Sequence, residues 1–136
     1  MPSATLARPV PRSRMWAGRI VTVLVVLFMM FDGVLHLLVP PPVVQAFAQL
    51  GVPLHLSIGI ALLELAYTAL YAIPRTATIG ALLLTAYLGG ATALQLRAEA
   101  ALFPVLFPVI VGALVWAGLM LRDARVGILI LRRPER

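Results

Sequence analysis

The chain has 136 residues, of which 62% are hydrophobic and 12% charged, and its mean hydropathy of +1.02 lies outside the range of soluble domains. Because cysteine is absent, disulfides, thiolate metal sites and thiol redox motifs are excluded. The formal net charge of +6 comes from arginines at the ends of apolar segments, a position that indicates contact with lipid headgroups and not with nucleic acid.

The chain begins with a basic tail, residues 1–15, whose three prolines disfavour a regular helix before Met15. We expect this tail to be disordered. The first apolar segment follows at 16–39 and is long enough to cross a bilayer, which needs about 20 residues. This run is too long for the apolar region of a signal peptide, so the sequence predicts a retained first span.

Three consecutive prolines then end the first span, because proline cannot continue a helix. The next segment, 43–50, would place Val43, Phe47 and Leu50 on one side of a helix. This pattern predicts a short helix at the membrane interface. The second span is expected at 53–73.

The third span, 76–96, carries a small residue at every fourth position, which makes a groove that a neighbouring helix can approach closely. The fourth span is expected at 101–121 and a basic tail at 123–136. The sequence thus predicts an all-α polytopic membrane protein, a bundle of four transmembrane helices with an interfacial helix between the first two. The groove begins at Ala77, and we expect a second copy or another membrane protein to contact its other members, Ala81, Thr85, Gly89 and Ala93.

Polar side chains on three spans are predicted to share one depth. At a rise of 1.5 Å per residue, Asp32 lies roughly 12 Å from the C-terminal end of the first span, and Glu64 lies roughly 16 Å from the N-terminal end of the second span. These two ends lie on the same side of the membrane, which we take as the outer side. Tyr87 lies at a similar depth, and His36 shares a helical face with Asp32. Because lipid cannot solvate these groups, we expect all four to converge on one internal site.

Structural alternatives exist for the same residues. Asp32 and His36 could form an ion pair that neutralises itself, and Glu64 could hold helices together by a hydrogen bond to a tyrosine. Ser57, Thr68 and Tyr71 continue the polar register of Glu64, although Tyr71 lies near the other membrane surface, where tyrosine typically anchors a span.

Metal-ligand patterns are missing from the sequence. No HxxxH, HxxE or ExxH pair occurs, and the aspartate and histidine of the first span supply only two ligands. The sequence therefore predicts no metal site, and it does not identify a cofactor.

Several segments resemble the DoxX-like membrane proteins: FDGVLHLL at the end of the first span, the connection PPPVVQAFAQLGVP, and IALLELAYTALYAIPRT with its mid-helix glutamate. The resemblance covers about residues 17–125. It implies a four-helix membrane bundle, typically bacterial, in a family named after a small subunit of a thiosulfate:quinone oxidoreductase. His36 and Glu64 match recurring positions of that family.

Three functions follow as expectations. The first is a membrane subunit or scaffold associated with redox or quinone-linked processes. The second is a small membrane enzyme that acts on a lipophilic substrate, with Glu64 as acid or base and His36, Asp32 or Tyr87 assisting. The third is a proton-coupled carrier that works as an oligomer. A pocket between the first three spans would favour the enzyme, and a filled bundle would favour the scaffold.

The distribution of arginines predicts the orientation in the membrane. Ten of the 11 basic residues lie in the N-terminal region, the 74–76 turn or the C-terminal region, and Arg97 is the remaining one. Because arginine favours the cytoplasmic side, we expect both termini in the cytoplasm of a bacterial inner-membrane protein.

Cysteine scanning tests this orientation directly, because the natural chain contains no cysteine. An impermeant thiol reagent added to intact cells should label Ala98→Cys and should not label Thr76→Cys. The reverse labelling pattern would overturn the orientation and the depths derived from it.

Overall fold

A computed structural model describes residues 9–131 of the chain, with side chains as far as residue 128. Four of its helical segments are long and apolar enough to cross a membrane, and a short helix lies between the first two, which confirms the predicted fold class. A 3-10 turn, Leu54–Leu56, leads into the second span. The helices are α1 (Arg12–Leu38), α2 (Pro41–Leu50), α3 (Ser57–Ala72), α4 (Ala77–Arg97), α5 (Leu102–Arg122) and α6 (Ala124–Leu131).

The first span begins earlier than its sequence predicts. α1 starts at Arg12, directly after Pro11, and the amide of Met15 donates a hydrogen bond to the Pro11 carbonyl at 3.1 Å. A proline before the first helical turn is compatible with a helix because the first amides of a helix have no partner within it. The predicted disorder before Met15 is therefore wrong for residues 12–15, and residues 1–8 lie outside the described part of the chain.

The end of the chain is also more regular than predicted. The segment expected to be a basic tail contains α6, which packs against α5 and buries Val126. Asp123 caps this helix, because its Oδ1 accepts a hydrogen bond from the amide of Arg125 at 2.9 Å. The apolar composition of 126–131 explains the helix, since only packing or lipid can shield such a run from water. Residues 132–136 of the predicted tail lie outside the described residues.

The four spans pack as a ring in which α1 and α4 each contact both α3 and α5. The polar residues that share one face of the second span in the sequence lie on the face of α3 that points into this ring. Each of these polar residues is buried, which is expected because lipid offers no hydrogen bonds. The buried residues of α3 are Ser57, Ala61, Glu64, Thr68 and Tyr71.

The bundle is closely packed at the end distant from α2. Tyr71 has no exposed surface there, and its hydroxyl donates a hydrogen bond to the Val115 carbonyl at 2.7 Å. Arg122 donates to the Tyr71 carbonyl at 3.1 Å. The expectation that Tyr71 anchors the span at the membrane surface is therefore wrong: it connects α3 to α5 inside the bundle.

The small-residue groove of α4 is divided between the interior and the outside of the bundle. Ala77 and Ala81 are buried within it, at 2% and 0% exposure, whereas Thr85, Gly89 and Ala93 are exposed. Ala81 is therefore a packing residue and not a surface for a partner. Contact with a second copy or another protein remains a prediction for the three exposed positions.

Gly80 marks a close approach between the backbones of α3 and α4. A Cβ atom at this position would lie 2.5 Å from the Cα of Tyr71 and 2.6 Å from the carbonyl carbon of Leu70, whereas a Cβ at Gly89 would meet none of the described atoms within 4 Å. The contact at Gly80 is with backbone, which cannot rotate away as a side chain can.

Alanine substitutions at these two glycines should consequently have different effects. Gly80→Ala should lower the free energy of unfolding by about 1–3 kcal/mol, because the two helices must separate. Gly89→Ala should be neutral or stabilising by up to about 1 kcal/mol, since alanine is the better helix former. Thermal unfolding in detergent measures both, and equal midpoints would contradict this packing.

Candidate functional site

Four polar side chains from three spans meet inside the end of the bundle on which α2 lies. Asp32 and His36 come from α1, Glu64 from α3 and Tyr87 from α4. The Nδ1 atom of His36 lies 3.5 Å from Asp32 Oδ2 and 3.5 Å from Glu64 Oε2. Tyr87 donates a hydrogen bond to Glu64 Oε2 at 2.8 Å. We call these four residues the polar cluster.

The close approach of α1 and α3 explains how residues of two helices reach each other. Gly33 lies in α1 beside Asp32, and a Cβ atom at this position would lie 2.7 Å from Leu65 Cδ2 and 3.7 Å from Glu64 Cδ. Ser57, at the start of α3, donates a hydrogen bond to the His36 carbonyl at 2.6 Å. Because Gly33 has no side chain, α3 can lie close to α1 here. The Ser57 hydrogen bond then holds α3 against the last turns of α1.

Glu64 is the central residue of the polar cluster. Its side chain has no exposed surface, one oxygen accepts the Tyr87 hydroxyl, and the other, Oε1, has no hydrogen-bond partner within residues 9–131. A buried polar atom without a partner costs roughly 1–3 kcal/mol, so this oxygen would gain from an incoming donor or cation.

The α1 side of the cluster is more accessible. The side chain of Asp32 is 39% exposed and that of His36 18% exposed. The His36 Nδ1 also lies 2.9 Å from the Asp32 backbone carbonyl, which can only accept a hydrogen bond, so this nitrogen carries a proton in that contact. The predicted pairing of Asp32 with His36 is present in the structure, and the two residues also contact the glutamate of the neighbouring helix.

A cavity of about 490 Å³ lies against the polar cluster. Its volume is typical of small-molecule binding sites, and most of its wall is apolar. Besides Asp32, His36, Glu64 and Tyr87, its lining includes Phe28 and Met29 of α1, Ala46, Phe47 and Leu50 of α2, Gly90, Ala91, Leu94 and Gln95 of α4, and Phe107, Pro108 and Val111 of α5.

The short helix α2 covers this cavity. Val39 ends α1 in the left-handed conformation with φ of 50°, which is uncommon for a β-branched residue and turns the chain back over the bundle. Prolines in the first turn start α2, and Gly51 ends it with φ of 63°. Phe47 is buried, and its ring centroid lies 5.7 Å from that of His36.

The sequence anticipated some features of this site and missed others. It placed the four polar residues at neighbouring depths, and the structure brings all four together. The second histidine of the chain, His55, lies exposed in the 3-10 turn and does not line the cavity. The aromatic wall from α1 and α5 was missed, because phenylalanines in an apolar span look the same whether they face lipid or a cavity.

The model of the DoxX-like family matches residues 20–118, which include α3 and α4, most of α1 and α5, and the whole polar cluster. The chain belongs to the DoxX-like family. The resemblance that the sequence suggested is thereby confirmed. No curated protein and no solved structure matches this DoxX-like chain.

The hydrogen bond between Tyr87 and Glu64 can be tested by a double-mutant cycle in this DoxX-like protein. Glu64→Leu should lower the free energy of unfolding by about 1–3 kcal/mol, because the tyrosine hydroxyl loses its acceptor. Adding Tyr87→Phe should recover part of that loss, because no buried donor is then left. Glu64→Gln, which keeps an acceptor oxygen, is the control and should unfold close to the natural chain.

Chemical unfolding in detergent provides the measurement. If the losses of Glu64→Leu and Tyr87→Phe simply add, the two side chains do not stabilise the bundle through each other.

Proposed function

We propose that this DoxX-like protein binds a lipophilic small molecule within the membrane, with the polar head of that molecule against the polar cluster. The observation that supports the proposal is the cavity itself, which has polar groups on one side and aliphatic and aromatic side chains elsewhere. Sites of this kind gain affinity from apolar burial and orientation from a few polar groups.

The chemistry of the wall favours a ring-bearing ligand. Phe28, Phe47 and Phe107 line the cavity together with the tyrosine of the cluster. Aromatic side chains pack well against flat rings, through edge-to-face or offset contacts. A quinone or hydroquinone is one molecule of this class, and the quinone-linked role suggested by the family resemblance gives a reason to test it. A subunit or scaffold role is the weaker candidate, because it does not require a cavity.

Catalysis on the bound molecule is a second candidate function. We infer that Glu64 would act as the acid or base, because it lines the cavity and its Oε1 has no partner among the described residues. His36 and Tyr87 contact the same carboxyl group and would orient it, and Asp32 would contact the head of the substrate. A carrier function has no separate observation in its favour.

We further propose that both termini face the cytoplasm of a bacterial inner membrane. The arginine distribution along the sequence supports this orientation. α2 and the cavity would then lie in the half of the membrane distant from the cytoplasm.

Two adjacent glycines allow a matched test of ligand binding. Gly90 lines the cavity and Gly89 does not, and in the part of the chain that the structure describes a Cβ atom at either position would meet nothing within 4 Å. Gly90→Leu should therefore place its side chain in the cavity and weaken binding of an alkylphenol probe by about 10-fold or more, a loss of about 1.4 kcal/mol. Gly89→Leu should bind the probe as the natural chain does.

Calorimetric titration of the protein in lipid nanodiscs is the measurement, and a quinone with the same alkyl chain serves as a second probe. An alkylbenzene without the hydroxyl should bind more weakly than the alkylphenol, because it offers nothing to the polar cluster. Equal affinities of the two glycine variants, or no saturable binding of either probe, would contradict the proposal.

A further inference from the structure

The polar cluster contains three side chains of the types that bind metal ions. His36 supplies an imidazole, and Asp32 and Glu64 supply carboxylates from two helices. One ligand atom of each lies within 4.8 Å of the other two. The His36 Nδ1 is 3.5 Å from an oxygen of each carboxylate.

These separations suit a single ion. Metal–nitrogen and metal–oxygen bonds of about 2.0–2.2 Å in a tetrahedral site place neighbouring ligand atoms about 3.4 Å apart. The two nitrogen–oxygen distances are therefore close to those that an ion would impose. Binding would need side-chain adjustment, because the three ligand atoms lie within 4.8 Å of one another and a bound ion would draw neighbouring ligand atoms to about 3.4 Å.

A second observation points to a cation independently of the spacing. Glu64 is fully buried and its Oε1 has no partner in the described part of the chain. The 3.5 Å contact with His36 is made by the other oxygen, Oε2, so a cation at the cluster would become the partner of Oε1 only after a side-chain adjustment. A divalent ion would also balance the charges of two carboxylates, which matters in a low-dielectric bundle where an uncompensated charge is costly. Tyr87, which donates to the other oxygen, would orient the glutamate as an outer partner of the ion.

We propose that Asp32, His36 and Glu64 form a binding site for a divalent first-row transition metal of the zinc type. The mixed ligand set argues for this class, because imidazole with carboxylates suits zinc, iron or manganese, whereas calcium and magnesium prefer oxygen ligands alone. Three protein ligands leave a coordination position free, as in catalytic metal sites. That position would face the cavity which all three residues line.

Binding has an identifiable cost and an entry path. His36 Nδ1 would give up its hydrogen bond to the Asp32 backbone carbonyl, and the imidazole proton would move to the other ring nitrogen. The ion can enter beside Asp32, whose side chain is 39% exposed. The sequence predicted no metal site because spacing within one helix shows only two of the ligands, and the third belongs to another span.

This site goes beyond the proposed function and does not depend on it, because metal binding is measured with no organic ligand present. Lipophile binding can succeed where metal binding fails, and the reverse also holds. The two results therefore separate the two proposals.

The test titrates zinc into the full chain, made without a polyhistidine tag and stripped of metal with a chelator, in detergent. Calorimetry should show one zinc per chain, and cobalt in its place should give visible absorption bands from a low-symmetry site. Asp32→Asn, His36→Gln and Glu64→Gln should each weaken zinc binding at least about 100-fold. His55→Gln is the matched control and should bind as the natural chain does, since His55 lies outside the site.

If another variant fails to fold, Asp32→Asn still decides the test. The Asp32 side chain is partly exposed, and asparagine has nearly the same size as aspartate. Zinc affinity of Asp32→Asn equal to that of the natural chain would overturn the proposal. So would a natural chain that binds zinc no better than His36→Gln.

Discussion

A carboxyl group inside a membrane-spanning bundle needs polar partners, because hydrocarbon cannot solvate it. The side chain of Glu64 has no exposed surface, so the helices around it beneath α2 must supply those polar partners. One partner, Tyr87, comes from α4, and another, His36, comes from α1. Near the second partner, Gly33 leaves room on α1 for the Leu65 side chain of α3. The relative positions of three spans at this level are thus coupled to one side chain.

The two ends of the bundle differ in how closely their helices pack. At the end distant from α2, Tyr71 joins α3 to α5, and Gly80 brings the backbone of α4 against that of α3. At the other end the helices surround a cavity, and α2 covers it with Phe47. The contacts at the packed end fix α3 against α4 and α5, the helices that also line the cavity. Binding sites depend on this kind of support from residues that never touch a ligand.

The sequence was sufficient for the order of the spans and for the inward face of α3. Both depend on local rules: a bilayer needs a minimum apolar length, and lipid does not tolerate unpaired polar groups. The depths of Asp32, Glu64 and Tyr87 followed from counting residues along each helix. The convergence of these three could be expected on the same physical ground.

Other features depend on how whole helices rotate and approach, which spacing alone does not determine. The small residues of α4 looked equivalent, yet Ala81 packs inside the bundle and Gly89 faces outward. Tyr71 occupies a depth typical of an interfacial anchor and instead turns inward. The cavity has no signature in the sequence, because it results from side chains of five helices that do not quite fill the space between them.

Nuclear magnetic resonance of the two histidines tests the central claim, that side chains of three spans form one internal cluster around Glu64. Imidazole signals of His36 and His55 are observed in the natural chain, in Glu64→Gln and in Tyr87→Phe, with His55 as internal reference. The account predicts that both substitutions shift the His36 signals and leave those of His55 unchanged. His36 signals that stay the same in both variants would show that α1 and α3 do not share a site.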